Sequence, residues 1–163
     1  MILDAFTFLA GSISSQNVIT AQAFNGAGNI LGSNTLDTMP LTLGANTFWD
    51  LGQGEPMEIA FSIVTAPTVG TSCQFQLIQA DDAALTSNVQ VLVQTDAIPL
   101  ASLPAGRLVP LHWDRTSPYT PKRYIGVRVV NVGAIATFTA IAALAKTLQD
   151  LQNIYGKSGF LVS

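Results

Sequence analysis

The sequence predicts an all-β chain: an antiparallel jelly roll or β-sandwich with a long N-terminal loop and a short C-terminal helix or arm. Three observations predict it. Apolar and polar residues alternate with period two through the middle of the chain, the pattern of strands that lay one face on a core. Glycine and proline recur between these runs, where the backbone must bend. The chain has 163 residues, 48% of them hydrophobic, which suits one core and not two. Residues 1–150 therefore read as the jelly-roll domain and 151–163 as a C-terminal arm.

The elements follow in order. Val18-Ile19-Thr20-Ala21-Gln22-Ala23-Phe24 and Asn46-Thr47-Phe48-Trp49-Asp50 read as strands. Between them, residues 25–45 are rich in Gly and Asn with scattered Leu, longer than an ordinary loop of ~4–6 residues, and read as an insertion outside the sheet. Met57, Ile59, Phe61 and Ile63 alternate with Glu58, Ala60, Ser62 and Val64. Cys73, Phe75 and Leu77 alternate with Gln74, Gln76 and Ile78, and Val89, Val91 and Val93 with Gln90, Leu92 and Gln94. Strands are also expected over 107–113, 124–130 and 136–141. The connectors Gly52-Gln53-Gly54-Glu55-Pro56, Ala66-Pro67-Thr68-Val69-Gly70, Pro99 through Gly106 and Ser117-Pro118-Tyr119-Thr120-Pro121 supply the turns. Seven to nine such strands describe a sandwich. Near the end, Leu144, Leu148, Leu151 and Tyr155 recur at helical spacing, and Gly156 is placed to stop a short helix. The run 157–163 after it is an apolar tail.

Charged residues make up only 10% of the chain, and the net charge is −3. Nucleic acid is not an expected partner, because phosphate binding needs a clustered basic face. All seven bases lie at or after Arg107 while eight of the ten acids precede it, so residues 1–106 carry −8 and residues 107–163 carry +5. Interleaving of the two halves would cancel this split; segregation would let it pair neighbouring copies in an assembly. No secretory leader is expected, since Met1-Ile2-Leu3-Asp4 begins with an acid and no base. The uncharged run between Arg128 and Lys146 is interrupted by Gly133 and alternates Ala-Thr-Phe-Thr-Ala. It reads as two buried strands joined by a Gly-Ala turn, not as a membrane span.

The reactive inventory is thin. One histidine, His112, and one cysteine, Cys73, leave no ligands for a zinc clamp and no partner for an internal disulfide. Cys73 lies in an alternating run and reads as a small core residue. Asp81-Asp82 is the one paired carboxylate; it ends a strand and reads as a turn or cap, and the Asp-x-Asp-x-Asp-Gly spacing of a calcium loop is absent. His112-Trp113-Asp114 places a base beside a carboxylate, but no Gly-x-Ser-x-Gly elbow accompanies it, and packing of the histidine beside Trp113 is the simpler expectation. No catalytic residue, cofactor site or metal site is predicted. Trp49, Trp113, Tyr119 and Tyr124 admit an alternative function, a carbohydrate- or receptor-binding sandwich that stacks sugar rings on aromatic faces.

The order of the short motifs carries a resemblance. Trp49-Asp50-Leu51-Gly52-Gln53-Gly54-Glu55-Pro56, then Ala80-Asp81-Asp82, then Ala97-Ile98-Pro99 and Leu103-Pro104-Ala105-Gly106, then Lys122-Arg123-Tyr124-Ile125-Gly126-Val127 resembles the capsid cement, or decoration, proteins of short-tailed bacteriophages. The match covers roughly 1–12 and 46–150; residues 13–45 and the tail from Leu151 are longer than the usual family pattern. The resemblance implies a non-enzymatic jelly roll made in the bacterial cytoplasm. It would be carried on the capsid exterior, bridging major capsid protein subunits, often as a homodimer. On that reading the contact segments are expected in 1–16, 25–45 and 150–163. The expected contact residues are Met1, Ile2, Leu3, Phe6 and Phe8, then Leu36 and Leu41, then Leu151, Ile154, Tyr155, Phe160 and Leu161.

Overall fold

The computed structural model describes residues 8–14, 18–38, 56–114 and 120–145. Expectations for the strand at 46–50, for loop residues 39–45, for Trp49 and Tyr119, and for the arm 151–163 lie outside those residues. In the described chain the strands are β1 (Phe8–Ala10), β2 (Ser12–Ile13), β3 (Ile19–Thr20), β4 (Gln22–Ala23), β5 (Gly26–Leu31), β6 (Leu36–Asp37) and β7 (Met57–Thr68). They continue with β8 (Ser72–Ala80), β9 (Gln90–Gln94), β10 (Ile98–Pro99), β11 (Leu108–Trp113), β12 (Tyr124–Ile135) and β13 (Thr137–Ala145). A 3-10 turn at Leu100–Ser102 follows β10.

Two antiparallel sheets form a sandwich. The first runs β1-β13-β7-β11, with β4 also on β13; the second runs β10-β8-β12-β5, with β9 also on β8 and β6 on β12. The alternation read from the sequence sorts residues onto faces. Ile59, Phe61 and Ile63 of β7 and Val109, Leu111 and Trp113 of β11 meet Cys73, Phe75 and Leu77 of β8 and Ile125, Val127 and Val129 of β12 in one core. At its centre the Phe61 and Phe75 rings lie 4.8 Å apart across the sheets, and Phe138 meets Phe75 edge-on at 6.1 Å and Phe24 at 5.7 Å. Such pairs add about 0.5–1.5 kcal/mol each beyond area burial. Pro110 lies within β11, an edge strand, where a residue without an N–H is tolerated.

Four expectations are corrected. The segment 25–45 is not wholly outside the sheet: β5 pairs with β12 from Arg128↔Leu31 to Ile135↔Gly26, and β6 pairs with it at Tyr124 and Ile125. Glycine and asparagine hide this strand from pattern reading because it is exposed on one side at the sheet edge. The run 18–24 is divided into β3 and β4, which pair with β2 and β13 respectively. The run 128–146 is not a hairpin about Gly133-Ala134. Gly133, at φ +85°, sits in a bulge between Asn131 and Ile135, and the chain leaves the second sheet for the first at Ala136. Leu144, assigned a helical pattern, belongs to β13 and faces the core.

The first sheet is buried on its outer side as well. Ile141, Ala143 and Ala145 of β13 and Ala60 of β7 form a second cluster with Phe8, against which Ile13, Ile19 and Ala21 pack. The β2–β3 hairpin therefore lies over this face. The two layers approach closely at Gly32, whose N–H donates to the Val127 carbonyl at 2.8 Å. A Cβ at Gly32 would press into the Leu9 carbonyl oxygen and lie 2.7 Å from Val127 Cγ2. Gly32→Ala is expected to lower stability by about 1–3 kcal/mol through overpacking, read from urea unfolding; an unchanged midpoint would contradict the close approach.

Candidate interaction surface

Among the residues expected at contacts, the described chain contains Phe8 and Leu36. Phe8 is 2% exposed and packed in the second cluster. Leu36 is half-buried and packs against the main core. Met1, Ile2, Leu3, Phe6, Leu41, Leu151, Ile154, Tyr155, Phe160 and Leu161 lie outside the described residues. Among the described residues, the large apolar side chains that are exposed are Val18, Val64, Val69 and Val132, the last two 68% and 50% exposed.

The acids and bases of the two sequence halves meet. Arg123 donates from Nε and Nη2 to the two carboxylate oxygens of Asp37, both at 2.8 Å, and its guanidinium lies 5.0 Å from the Tyr124 ring centroid. The Asp37 bond raises the Arg123 pKa further. Lys122 Nζ donates to Asp81 Oδ1 at 2.8 Å, and Asn88 Nδ2 to Asp81 Oδ2 at 2.7 Å. These two bonds, Lys122 foremost, hold the Asp81 carboxyl below its usual range. Asp82 behaves as the expected cap: its Oδ1 accepts the N–H groups of Ser87 and Thr86, and its Oδ2 the Thr86 hydroxyl. Its pKa is lowered, by the Ser87 N–H first. Cys73 is fully buried, and burial pushes its thiol up to about 11, which removes thiolate chemistry at neutral pH.

His112 is not packed against the core. Its side chain is 55% exposed on the outer face of β11, while Trp113, one residue on, turns inward and is 9% exposed with its Nε1 unpaired. The ladder pairs His112 with Glu58, so Nδ1 lies 2.6 Å from Glu58 Oε1 and Nε2 lies 2.9 Å from Asp114 Oδ1. Both ring nitrogens thus face carboxylates. The Asp114 contact is visible as sequence adjacency; Glu58 is supplied by strand register, which no local motif reports. The arrangement favours the imidazolium, and the histidine pKa is raised, by the Glu58 bond first.

The outer face of the second sheet is amide-rich. Register places Leu31, Arg128, Gln76 and Gln94 side by side on β5, β12, β8 and β9. Gln76 donates from Nε2 to Gln94 Oε1 at 2.8 Å and to Gln74 Oε1 at 3.3 Å, and its own Oε1 accepts Arg128 Nε at 2.7 Å. Gln74 Nε2 donates to the Thr95 carbonyl at 2.9 Å. At one end of this face Leu85 seats over Gly126, within a small cluster of Ile78, Ala80 and Leu85. The period-two pattern shows Gln74 and Gln76 on one face; it does not show that β9 and β12 complete the row.

Compared with known proteins, the chain matches no protein-family model, and no curated protein matches its sequence. The ion pairs make one pH dependence specific. The folded-state pKa of His112 is raised, so its contribution is fully present below the unfolded value of ~6.5 and is lost as pH rises through the folded value. His112→Gln is therefore expected to lower Tm more at pH 5.5 than at pH 8.5, read by thermal unfolding at both. An equal deficit at the two pH values would exclude the charge-assisted pairing.

Proposed function

We propose that this chain is a structural virion protein that binds the outside of a phage head and bridges neighbouring major capsid subunits, stabilising the head against internal DNA pressure. The observation that carries the reading is the ordered set of motifs from Trp49 to Val127, and the chemistry of the described residues supports it. Among the described residues, several charges are engaged in pairs that hold strands and loops together, including Asp37 with Arg123 and Asp81 with Lys122. The cysteine is buried, and the one histidine is bonded between two carboxylates on an open face. What the fold offers a partner is area: a rigid sandwich with an amide-rich sheet face of low charge. Contacts of this kind, individually weak, gain strength when a symmetric lattice repeats them. A polar-rimmed surface of low charge suits broad interfaces of that class. The jelly-roll wiring and a homodimer belong to the same proposal.

The test is reconstitution. Purified protein mixed with phage heads lacking it should co-sediment at a saturating, fixed number of copies per capsid subunit, and should raise the temperature at which the heads release DNA. Absence of saturable binding, or binding without stabilisation, would overturn the reading.

A further inference from the structure

Each described cation except Arg107 and Arg128 lies against a carboxylate of the chain, and Arg107 is exposed to water. Lys122 holds Asp81, Arg123 holds Asp37 through two parallel bonds, His112 lies between Glu58 and Asp114, and Arg107 donates from Nη1 to the Ser102 carbonyl. Arg128 differs. Its Nε donates to Gln76 Oε1 at 2.7 Å, and among the described residues its two terminal nitrogens have no acceptor and no carboxylate in ion-pair reach. Arg128 is half-buried on the sheet face, and burial already disfavours its charge. A partly desolvated cation with unused donors is a costly feature unless something else completes it.

The surroundings say what kind of group does so. Gln76 is itself 5% exposed and is fixed by Gln74 and Gln94, so the bond to Nε sets the plane of the fork. Donors in that fixed fork match the two oxygens of a carboxylate. The site lies on a sheet face framed by Leu31 and Val130, their side chains half-buried. Small ligands are usually held in concave sites, whereas a strand face meets another protein. A second copy related by a twofold axis through this face would bring Arg128 against Arg128, so like charges oppose self-association here.

We propose that the outer face of the second sheet, centred on Arg128, docks on a protein partner whose Asp or Glu carboxylate pairs with the free end of the guanidinium. The inference rests on the capsid reading, which makes that partner the coat subunit.

The experiment measures binding to heads that lack the protein, for the wild type, Arg128→Gln, Arg128→Lys and Asn29→Asp. Asn29 is exposed on the same face, opposite Val130 and diagonal to Arg128. An aspartate there offers the guanidinium an internal partner without removing packed atoms. Circular dichroism and thermal unfolding report whether each variant keeps its fold. Expected are a loss of at least about tenfold in affinity for Arg128→Gln, a smaller loss for Arg128→Lys, and a loss for Asn29→Asp with its unfolding temperature unchanged. Should Arg128→Gln unfold, Asn29→Asp decides. If the wild type binds heads and the folded variants bind equally well, this docking face is wrong and the capsid reading stands. If the wild type fails to bind, both fall. Loss of binding to an acidic glycan, with head binding intact, would overturn the inference in favour of a saccharide.

Discussion

At one corner of the sandwich the chain passes between the two sheets from β7 to β8 and from β12 to β13, and both of these passages depend on glycine. The β7–β8 connection runs through Val69, Gly70 and Thr71, and β12 reaches β13 across the bulge at Gly133. Gly70 and Gly133 hold φ of +98° and +85°, and a Cβ on Gly133 would lie 2.9 Å from Gly70 Cα, so only two residues without side chains can meet there. Backbone bonds tie the passages together: Thr71 N–H to the Val132 carbonyl and Ala136 N–H to the Thr68 carbonyl, each 2.8 Å. Because β7 pairs with β13 in one sheet and β8 with β12 in the other, this corner sets both long registers together. A slip by one residue would turn every side chain of a strand to the opposite face. The contact of Phe61 and Phe138 with Phe75 would then be lost, and the amides of β8 would enter the core.

The same topology disposes of the charge split. Asp37 and Arg123 are 86 residues apart in sequence, Glu58 and His112 are 54 apart, and Asp81 and Lys122 are 41 apart, yet each pair is in contact. Early strands β6, β7 and β8 pair with late strands β11 and β12, so acids placed early meet bases placed late. On a surface each such pair contributes little to stability. Their larger effect is on the surface field: among the described residues, these acids of the first half lie against bases of the second and form no separate acidic and basic poles.

The parts of this fold that were legible in the sequence are those where one face is buried and the other wet. Strands β7, β8, β11 and β12 show period two because their inner positions, Phe61, Phe75, Leu111 and Val127 among them, must be apolar while the outer ones need not be. Legibility failed where that contrast is absent. Strand β5 carries Gly26, Gly28 and Asn29 at an exposed edge, so its sequence has a loop's composition although it completes the sheet through backbone bonds. Strand β13 was legible over 136–141 but not beyond: from Ile141 to Ala145 it is apolar on both faces, because Phe8, Ile13 and Ile19 pack on its outer side, and Leu144 was drawn into a helical spacing. The candidate surface divides in the same way. His112 and Asp114 are adjacent in sequence, but Glu58 and the row from Leu31 to Gln94 exist only through register, a non-local quantity that no spacing along the chain encodes.

A low-charge surface poses a physical problem for docking, because exposed amides lose water on docking as readily as charges lose counterions. The second sheet lessens this cost by bonding its amides to one another. Gln76 spends its Nε2 on Gln94 and Gln74 and its Oε1 on Arg128, and Gln74 spends its Nε2 on a backbone carbonyl. Covering such a face removes little hydration that the free protein was using, so association is opposed chiefly by lost motional freedom. Directional preference then has to come from a group the ladder leaves incomplete. On the proposed docking face Arg128 is that group: the bond that joins it to the ladder consumes one donor and leaves its terminal nitrogens without an acceptor among the described residues.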